Sequence, residues 1–326
     1  MNAMPLVTIL MPAHAKPAYF QAAVESVLAQ TYKNWELVIS DDMDGEGLER
    51  VVAPYRKDYR IKYFHHPEFT LTQNWRFCRK YENDDTVYVN WLMSDDIFLP
   101  QKLEKMVAVY EMHPEVTLVT SARQGIDGSG RKVSQDFLAP IVPHDAMLDG
   151  ESVGRQMLVT NNDFIGEPTT VLIRKKDLRR HDLGWHDLSF TGREDLYRFI
   201  LSDVATWCQL LSRGNMVYFH EPLSCRRAHE GQASYRPEIR LGTPIAWAFE
   251  IQYAWRKKIF LKTEAQVRSA ILNWMPRAVL ELREANRTGY QGAQVRLLER
   301  IFHQFLEALM NGYHIDFYMG EDVLDE

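Results

Sequence analysis

Two pairs of adjacent aspartates, Asp41-Asp42 and Asp95-Asp96, pose the first chemical question. Like charges side by side repel, and they contribute nothing to an apolar core. A hard dication such as Mn²⁺ or Mg²⁺ would use them, because it takes oxygen ligands and completes its shell with phosphate oxygens and water. The second carboxylate of a pair could then bind a hydroxyl. Turn residues and helix caps are the plainer uses of an Asp-Asp pair. Two pairs at the ends of two strands shift the balance toward a cation.

The strands are readable. Residues 6–12 (LVTILMP), 35–40 (WELVIS), 61–65 (IKYFH), 86–93 (TVYVNWLM) and 116–122 (VTLVTSA) are short apolar runs. Between them, 17–30, 47–56, 72–81 and 100–113 carry helical spacing, the last with Pro100 in its first turn. Alternation of strand and helix predicts an α/β fold with a mostly parallel sheet and helices on both faces. Ligands then collect beyond the C-terminal strand ends, where PAHA (12–15), DDMDG (41–45) and SDD (94–96) fall. Residues 123–165 look irregular, and 169–175 and 215–223 look like strands. From about 236 three helical stretches follow, which sets a boundary at 236: a domain over 1–236, with a nucleotide-binding half (1–122) and an acceptor half (123–236), and a helical extension over 237–326.

Composition removes several classes. The 326 residues carry a net charge of -6 with no long Lys/Arg block, which argues against a nucleic-acid partner. Three cysteines without a Cys-x-x-Cys pair argue against a disulfide framework. No apolar stretch reads as a signal peptide or a spanning helix, so a cytoplasmic protein is expected. The histidines show no zinc spacing, and no Gly-rich phosphate loop of the Gly-x-x-x-x-Gly-Lys type is present.

Three segments, in order, resemble family 2 glycosyltransferases. VTILMPAHAKPAYFQAAVESVLAQTYKNWELVISDD resembles the N-terminal signature of the family. VYVNWLMSDDIFLPQKLEKMV is similar to the strand bearing its Asp-x-Asp-type metal motif. DVATWCQLLSRGNMVYFHEPLSCRRAHEGQAS resembles its closing Glu-Pro-Leu and Arg-x-His segment. The resemblance covers about 5–235 and implies the GT-A fold and inverting transfer from a nucleoside-diphosphate sugar, UDP or dTDP favoured, with Mn²⁺ or Mg²⁺.

By position, the resemblance makes Asp42 a contact of the base, Asp95 a neighbour of the ribose or sugar, and Asp96 the metal ligand. It makes Asp203 the catalytic base, with Glu194 and Asp195 as rivals, and puts Arg227 and His229 over the diphosphate. Pro12, His14 and Asn74 join the nucleotide set, and Asn162, Glu167 and Thr169 could face the acceptor. Alanines at 13 and 15 depart from the family's Pro-Thr-Tyr-Asn. A saccharide or lipid-linked acceptor in polysaccharide or glycoconjugate synthesis is implied. A nucleotidyltransferase, a metal phosphohydrolase and a non-catalytic nucleotide-sugar-binding relic are the alternatives. The stretch AWAFEIQYAWRKKIF (246–260) could meet an anionic membrane at its inner face, a second subunit, or the chain's own core.

Overall fold

The structure is a computed structural model that describes residues 4–81, 83–134, 140–178, 200–230, 232 and 236–312. Two compact units emerge, and each draws on three separated stretches of chain. The described residues of the first come from 4–148, 164–178 and 214–229, and those of the second from 149–163, 200–213 and 230–312.

The first unit is built on one sheet. Its strands are β1 (Leu6–Ala13), β2 (Trp35–Asp41), β3 (Ile61–His65), β4 (Thr86–Trp91), β5 (Ile97–Phe98), β6 (Val116–Ile126), β7 (Lys132–Val133), β8 (Ala146–Leu148), β9 (Leu172–Arg174) and β10 (Asn215–Arg227). The order is β3-β2-β1-β4-β9-β6-β10-β5, with β7 on β6 and β8 on β10. The long strands pair in parallel: β1 with β2 and β4, β2 with β3, and β6 with β10. The short strand β9 runs antiparallel between β4 and β6. The order reverses at β1, because β2 and β3 build outward on one side and β4 on the other. Such a switch point opens a crevice at the C-terminal strand ends.

Residue alternation explains why β1 and β2 read as continuous apolar runs. Val7, Ile9, Met11, Leu37 and Ile39 face one core, which takes Phe20, Val24 and Val27 from α1 (Pro17–Leu28). Leu10 and Val38 face the other, with Cys78 of α3 (Leu71–Lys80) and Val89 of β4. Both sheet faces are covered, as a parallel sheet requires. Thr70 starts α3 with a capping box shared with Gln73. Two short helices, α2 (Gly47–Val52) and α6 (Lys175–Leu178), and the longer α4 (Lys102–Met112) complete this unit. Pro100 falls before α4, whose N-cap is Gln101, so it precedes the first turn instead of occupying it.

The second unit is helical: α5 (Gly150–Thr160), α7 (Ser202–Leu211), α8 (Pro237–Lys257), α9 (Glu264–Thr288) and α10 (Ala293–Asn311). Helix α5 corrects the expectation of an irregular middle. Its two glycines lower helix propensity, but Asp149 caps it through Ser152 N at 2.8 Å. A Cβ at Gly154 would lie 2.4 Å from the Phe260 ring, so close packing within this unit selects the glycine. The aromatic stretch around 246–260 lies inside: Trp247, Phe249 and Ile251 are buried in α8. Trp274 of α9 donates to Pro244 O at 2.6 Å and meets Phe305 of α10 edge-on at 4.8 Å. The apolar face of α8 is thus core, and Arg256 and Lys257 sit in its last turn, where cations suit the helix dipole. No described helix is long and apolar enough to cross a membrane.

Glu250 of α8 is buried, and its Oε2 has no hydrogen-bond partner among the described residues. Burial pushes its carboxyl well above the usual 4.5. The folded chain therefore keeps a proton that the unfolded chain releases first. Stability from this group is present below about 4.5 and is lost as pH rises toward the folded value. Urea unfolding across pH 4–9 should show wild type losing stability relative to Glu250→Gln as pH rises. A constant difference would show that the acid is not buried as described.

Candidate functional site

The parallel pairing of β1 with β2 and β4 brings PAHA, DDMDG and SDD to one rim. Pro12 lies opposite Ser40 of β2, beyond the last β1–β4 pair at Leu10 and Trp91, where no ladder bond needs its missing N–H. His14 N donates to Ser94 Oγ at 3.1 Å, and His14 Nδ1 lies 2.8 Å from Asp42 Oδ1. The two nucleotide candidates His14 and Asp42 are therefore partners. Asp42 is nearly covered while the His14 ring stays more than half exposed.

The first aspartate pair divides its work. Asp41 turns inward and accepts from Tyr63 Oη at 2.5 Å and Met43 N at 2.9 Å. Burial raises its pKa against these two bonds. Asp42 is the member left at the rim. Asn74 of α3 is fully buried, and neither amide atom is hydrogen-bonded among the described residues. Its neighbour Trp75 stacks on Trp91 at 4.8 Å.

The second pair is the centre of a tight assembly. Asp96 Oδ1 accepts from Arg227 N at 3.0 Å, and Asp96 Oδ2 accepts from Thr169 Oγ1 at 2.8 Å. Asp95 Oδ2 lies 2.9 Å from His229 Nε2, and Asp95 O accepts from Arg227 Nε at 2.8 Å. The Arg227 guanidinium also donates to Asp127 O at 3.0 Å and lies over the Tyr19 ring at 4.5 Å. The His229 ring is tilted against the same tyrosine at 5.3 Å. Burial, then the charges of Asp95 and Glu167, push the Asp96 carboxyl well above the usual range, opposed by the two bonds it accepts. Neither aspartate caps a helix: α4 starts later, and Gln101 makes no side-chain cap.

The candidates read from sequence thus fall into three groups. Pro12, His14, Asp42, Asp95, Asp96, Arg227 and His229 share the rim of the first unit. Glu167 and Thr169 also lie in it, in a tight turn over 167–170. Thr169 is fully buried, and Glu167 Oε2 is 3.2 Å from Arg123 Nε. Asn162 and Asp203 belong to the second unit. Asn162 is exposed just after α5, and Asp203 stands in the first turn of α7, its Oδ1 accepting from Val204 N at 2.8 Å. Glu194 and Asp195 lie outside the described residues. Sequence reasoning passed over Tyr19 and Lys102. Lys102 had one signal: it precedes Met106 by four residues, which puts the two side chains on one face of α4.

The donor set fits a hard dication. Among the described residues, no three His, Cys, Asp or Glu side chains form a ready ligand cluster. The protein would therefore supply few ligands, and a diphosphate would supply others, as Mg²⁺ and Mn²⁺ commonly accept. Each Asp96 oxygen accepts one hydrogen bond and keeps a second lone pair. The Asp95 carboxylate and the His229 imidazole stand beside it.

The sequence profile described as Glycosyl transferase family 2 matches residues 8–182, more than half of the chain. The chain belongs to glycosyltransferase family 2. TuaG of Bacillus subtilis (strain 168), a family relative named for teichuronic acid biosynthesis, is 33% identical over 222 residues, 67% of this chain and 76% of TuaG. CgeD of the same organism is 33% identical over 140 residues, 40% of this chain. The chain spans only 33% of the length of CgeD. Among solved structures, S. aureus TarS 1–349 superposes with a TM-score of 0.55 at 15% identity, covering 95% of this chain and 92% of that one. TarS in complex with UDP-GlcNAc matches at 0.54 and 14% identity, covering 96% and 93%. The family 2 fold is GT-A-like: an α/β sheet whose long strands are parallel, flanked by helices and followed by C-terminal helices.

Proposed function

We propose that the chain transfers a glycosyl group from a nucleoside-diphosphate sugar to an acceptor hydroxyl, with inversion and with Mn²⁺ or Mg²⁺. One observation carries this reading: Asp95 and Asp96, at the switch-point rim, are both held by the Arg227–His229 strand end. That arrangement joins acidic oxygen ligands to cationic and hydrogen-bonding groups, which is what a diphosphate leaving group needs. UDP or dTDP is the favoured nucleotide. TarS binds UDP-GlcNAc on a similar fold, which supports UDP. The name of TuaG supports polysaccharide synthesis as the setting.

In this reading His14, Asp42 and Pro12 form the nucleoside side, Asn74 is buried and corrected to a place behind it, and Asp95 meets the ribose or sugar. Asp96, with Asp95 and His229 beside it, holds the dication. When bound, the dication supplies Lewis-acid neutralisation of charge developing on the diphosphate. The acceptor oxygen attacks the anomeric carbon as the bond to the diphosphate oxygen breaks, and that oxygen takes the electron pair. Asp203 takes the acceptor proton. Arg227 and His229 stabilise the departing charge with preset donors. Asn162 and Glu167 face a saccharide or lipid-linked acceptor. A cytoplasmic setting, with peripheral contact at the inner face of the membrane or a homodimer through the C-terminal helices, belongs to the same proposal.

The deciding experiment is a thermal-shift screen of nucleoside diphosphates and their sugars, each with and without Mn²⁺, followed by product analysis. A shift that needs both UDP- or dTDP-sugar and metal, with release of intact nucleoside diphosphate on turnover, is expected. Release of nucleoside monophosphate would move the protein to phosphoryl or nucleotidyl chemistry. Binding without turnover for any acceptor would leave a nucleotide-sugar-binding protein. No shift with any nucleotide would remove the reading.

A further inference from the structure

We propose that Thr169, with Lys102 behind it, is a positioning residue that fixes the carboxylate plane of Asp96. The inference rests on the donor reading above. It also reassigns Thr169, which the sequence placed toward the acceptor: a side chain with no exposed surface does not meet an acceptor in this conformation.

The Thr169 hydroxyl has one proton and lone pairs to spare. It accepts from Met93 N at 3.1 Å, and it donates to Asp96 Oδ2 at 2.8 Å. The incoming bond from Met93 ties the hydroxyl to the start of the SDD segment, and the outgoing one holds one Asp96 oxygen. Arg227 N holds the other oxygen from the opposite strand. A carboxylate gripped at both oxygens by two separate elements cannot turn about its last bond without breaking one of them.

The turn that carries Thr169 is itself pinned from below. Asn90 Nδ2 of β4 reaches Pro168 O at 3.3 Å and Thr169 O at 3.4 Å. Lys102 of α4 has no exposed surface, and its ammonium donates to Thr170 O at 2.8 Å. Met106 Sδ at 3.2 Å and the Phe98 ring at 5.1 Å complete its surroundings. A lysine buried with no carboxylate within ion-pair distance among the described residues is a poor way to stabilise a core. Its placement makes sense if holding the 168–170 turn at one height matters more. The chain of contacts is continuous: Lys102 to Thr170 O, the turn to Thr169, and Thr169 to Asp96.

The test uses the full chain and the probes UDP and Mn²⁺. Isothermal titration gives the UDP affinity with and without Mn²⁺ for wild type, Thr169→Val, Thr169→Ser and Lys102→Met, with circular dichroism as the check on folding. Valine matches threonine in shape but lacks the hydroxyl, so Thr169→Val should bind UDP alone as wild type does. It should lose about tenfold or more of the gain that Mn²⁺ brings, the usual size of such supporting contacts at metal sites. Thr169→Ser should restore the gain, and Lys102→Met should reduce it in the same direction. A purely structural role would lower both affinities together, and serine would not rescue it. A full Mn²⁺-dependent gain in Thr169→Val, or none in Thr169→Ser, overturns the proposal. If Thr169→Val fails to fold, an unchanged gain in Lys102→Met overturns it. A wild-type chain with no Mn²⁺-dependent gain sinks the donor reading, and this inference with it.

Discussion

Asp96→Asn is expected to remove the metal-dependent part of donor binding and to slow transfer by about 100- to 1,000-fold, the range seen when one preset electrostatic group is lost. Asparagine suits this test better than alanine. Its oxygen can still accept from Arg227 N, and its amide can donate to the Thr169 hydroxyl, so both native contacts have a replacement. Alanine would leave two donors unpaired in a buried site, which costs about 1–3 kcal/mol each and would confuse stability with chemistry. The asparagine variant loses the charge and reverses the Thr169 bond, so the hydroxyl proton gives up its carboxylate acceptor. Its melting temperature should stay near that of wild type, or rise, because burial and the charges of Asp95 and Glu167 all oppose ionisation of Asp96. The measurement is Mn²⁺-dependent UDP binding together with the rate of UDP release. Near-native values for both would show that Asp96 holds no cation and would return it to a structural role.

Asp203→Ala should abolish turnover while leaving donor binding intact, a loss of about 100- to 10,000-fold if this carboxylate takes the acceptor proton. The structure offers a competing local use. Asp203 stands in the first turn of α7, where a negative charge favours the helix dipole, and its carboxylate accepts from Val204 N. That role alone predicts a small loss of stability and unchanged turnover. The two outcomes are therefore separable by one titration and one rate assay. Glu194→Gln and Asp195→Asn complete the experiment. Loss of turnover in either, with Asp203→Ala active, would move the base to that pair.

Much of the sheet was legible because buried parallel strands leave a simple trace. LVTILM and WELVIS have apolar residues on both faces, and each matches an observed strand. The helix α5 was not legible. Gly150 and Gly154 argue against it locally, and the ring that fills the space above Gly154 comes from Phe260, more than 100 residues later. The site shows the same division. Adjacent aspartates at strand ends could be found from residue type and spacing. That His14 meets Asp42, and that Thr169 and Arg227 grip Asp96 from two sides, depends on contacts across 28, 73 and 131 positions. Lys102 was hidden for a different reason. A lysine in a charged helix reads as solvated, its spacing to Met106 is a weak signal, and the packing of β9 and the 168–170 turn is what encloses it.

The way the chain threads the two units has a consequence for its synthesis. Helix α5 is complete once residue 160 is made, yet α9, against which it packs, begins at Glu264. At ordinary translation rates that gap amounts to roughly ten seconds. For that interval only α7, complete at Leu211, and then the start of α8 can cover part of the α5 face that carries Val153, Met157 and Leu158, although the sheet strands β1 to β4 are already available to pair. The nascent chain therefore carries the first strands of its sheet and an apolar helix still waiting for its main partner. A chain cut off near 236 would be held in that waiting state for good, and would be expected to engage chaperones or aggregate rather than yield a smaller working enzyme.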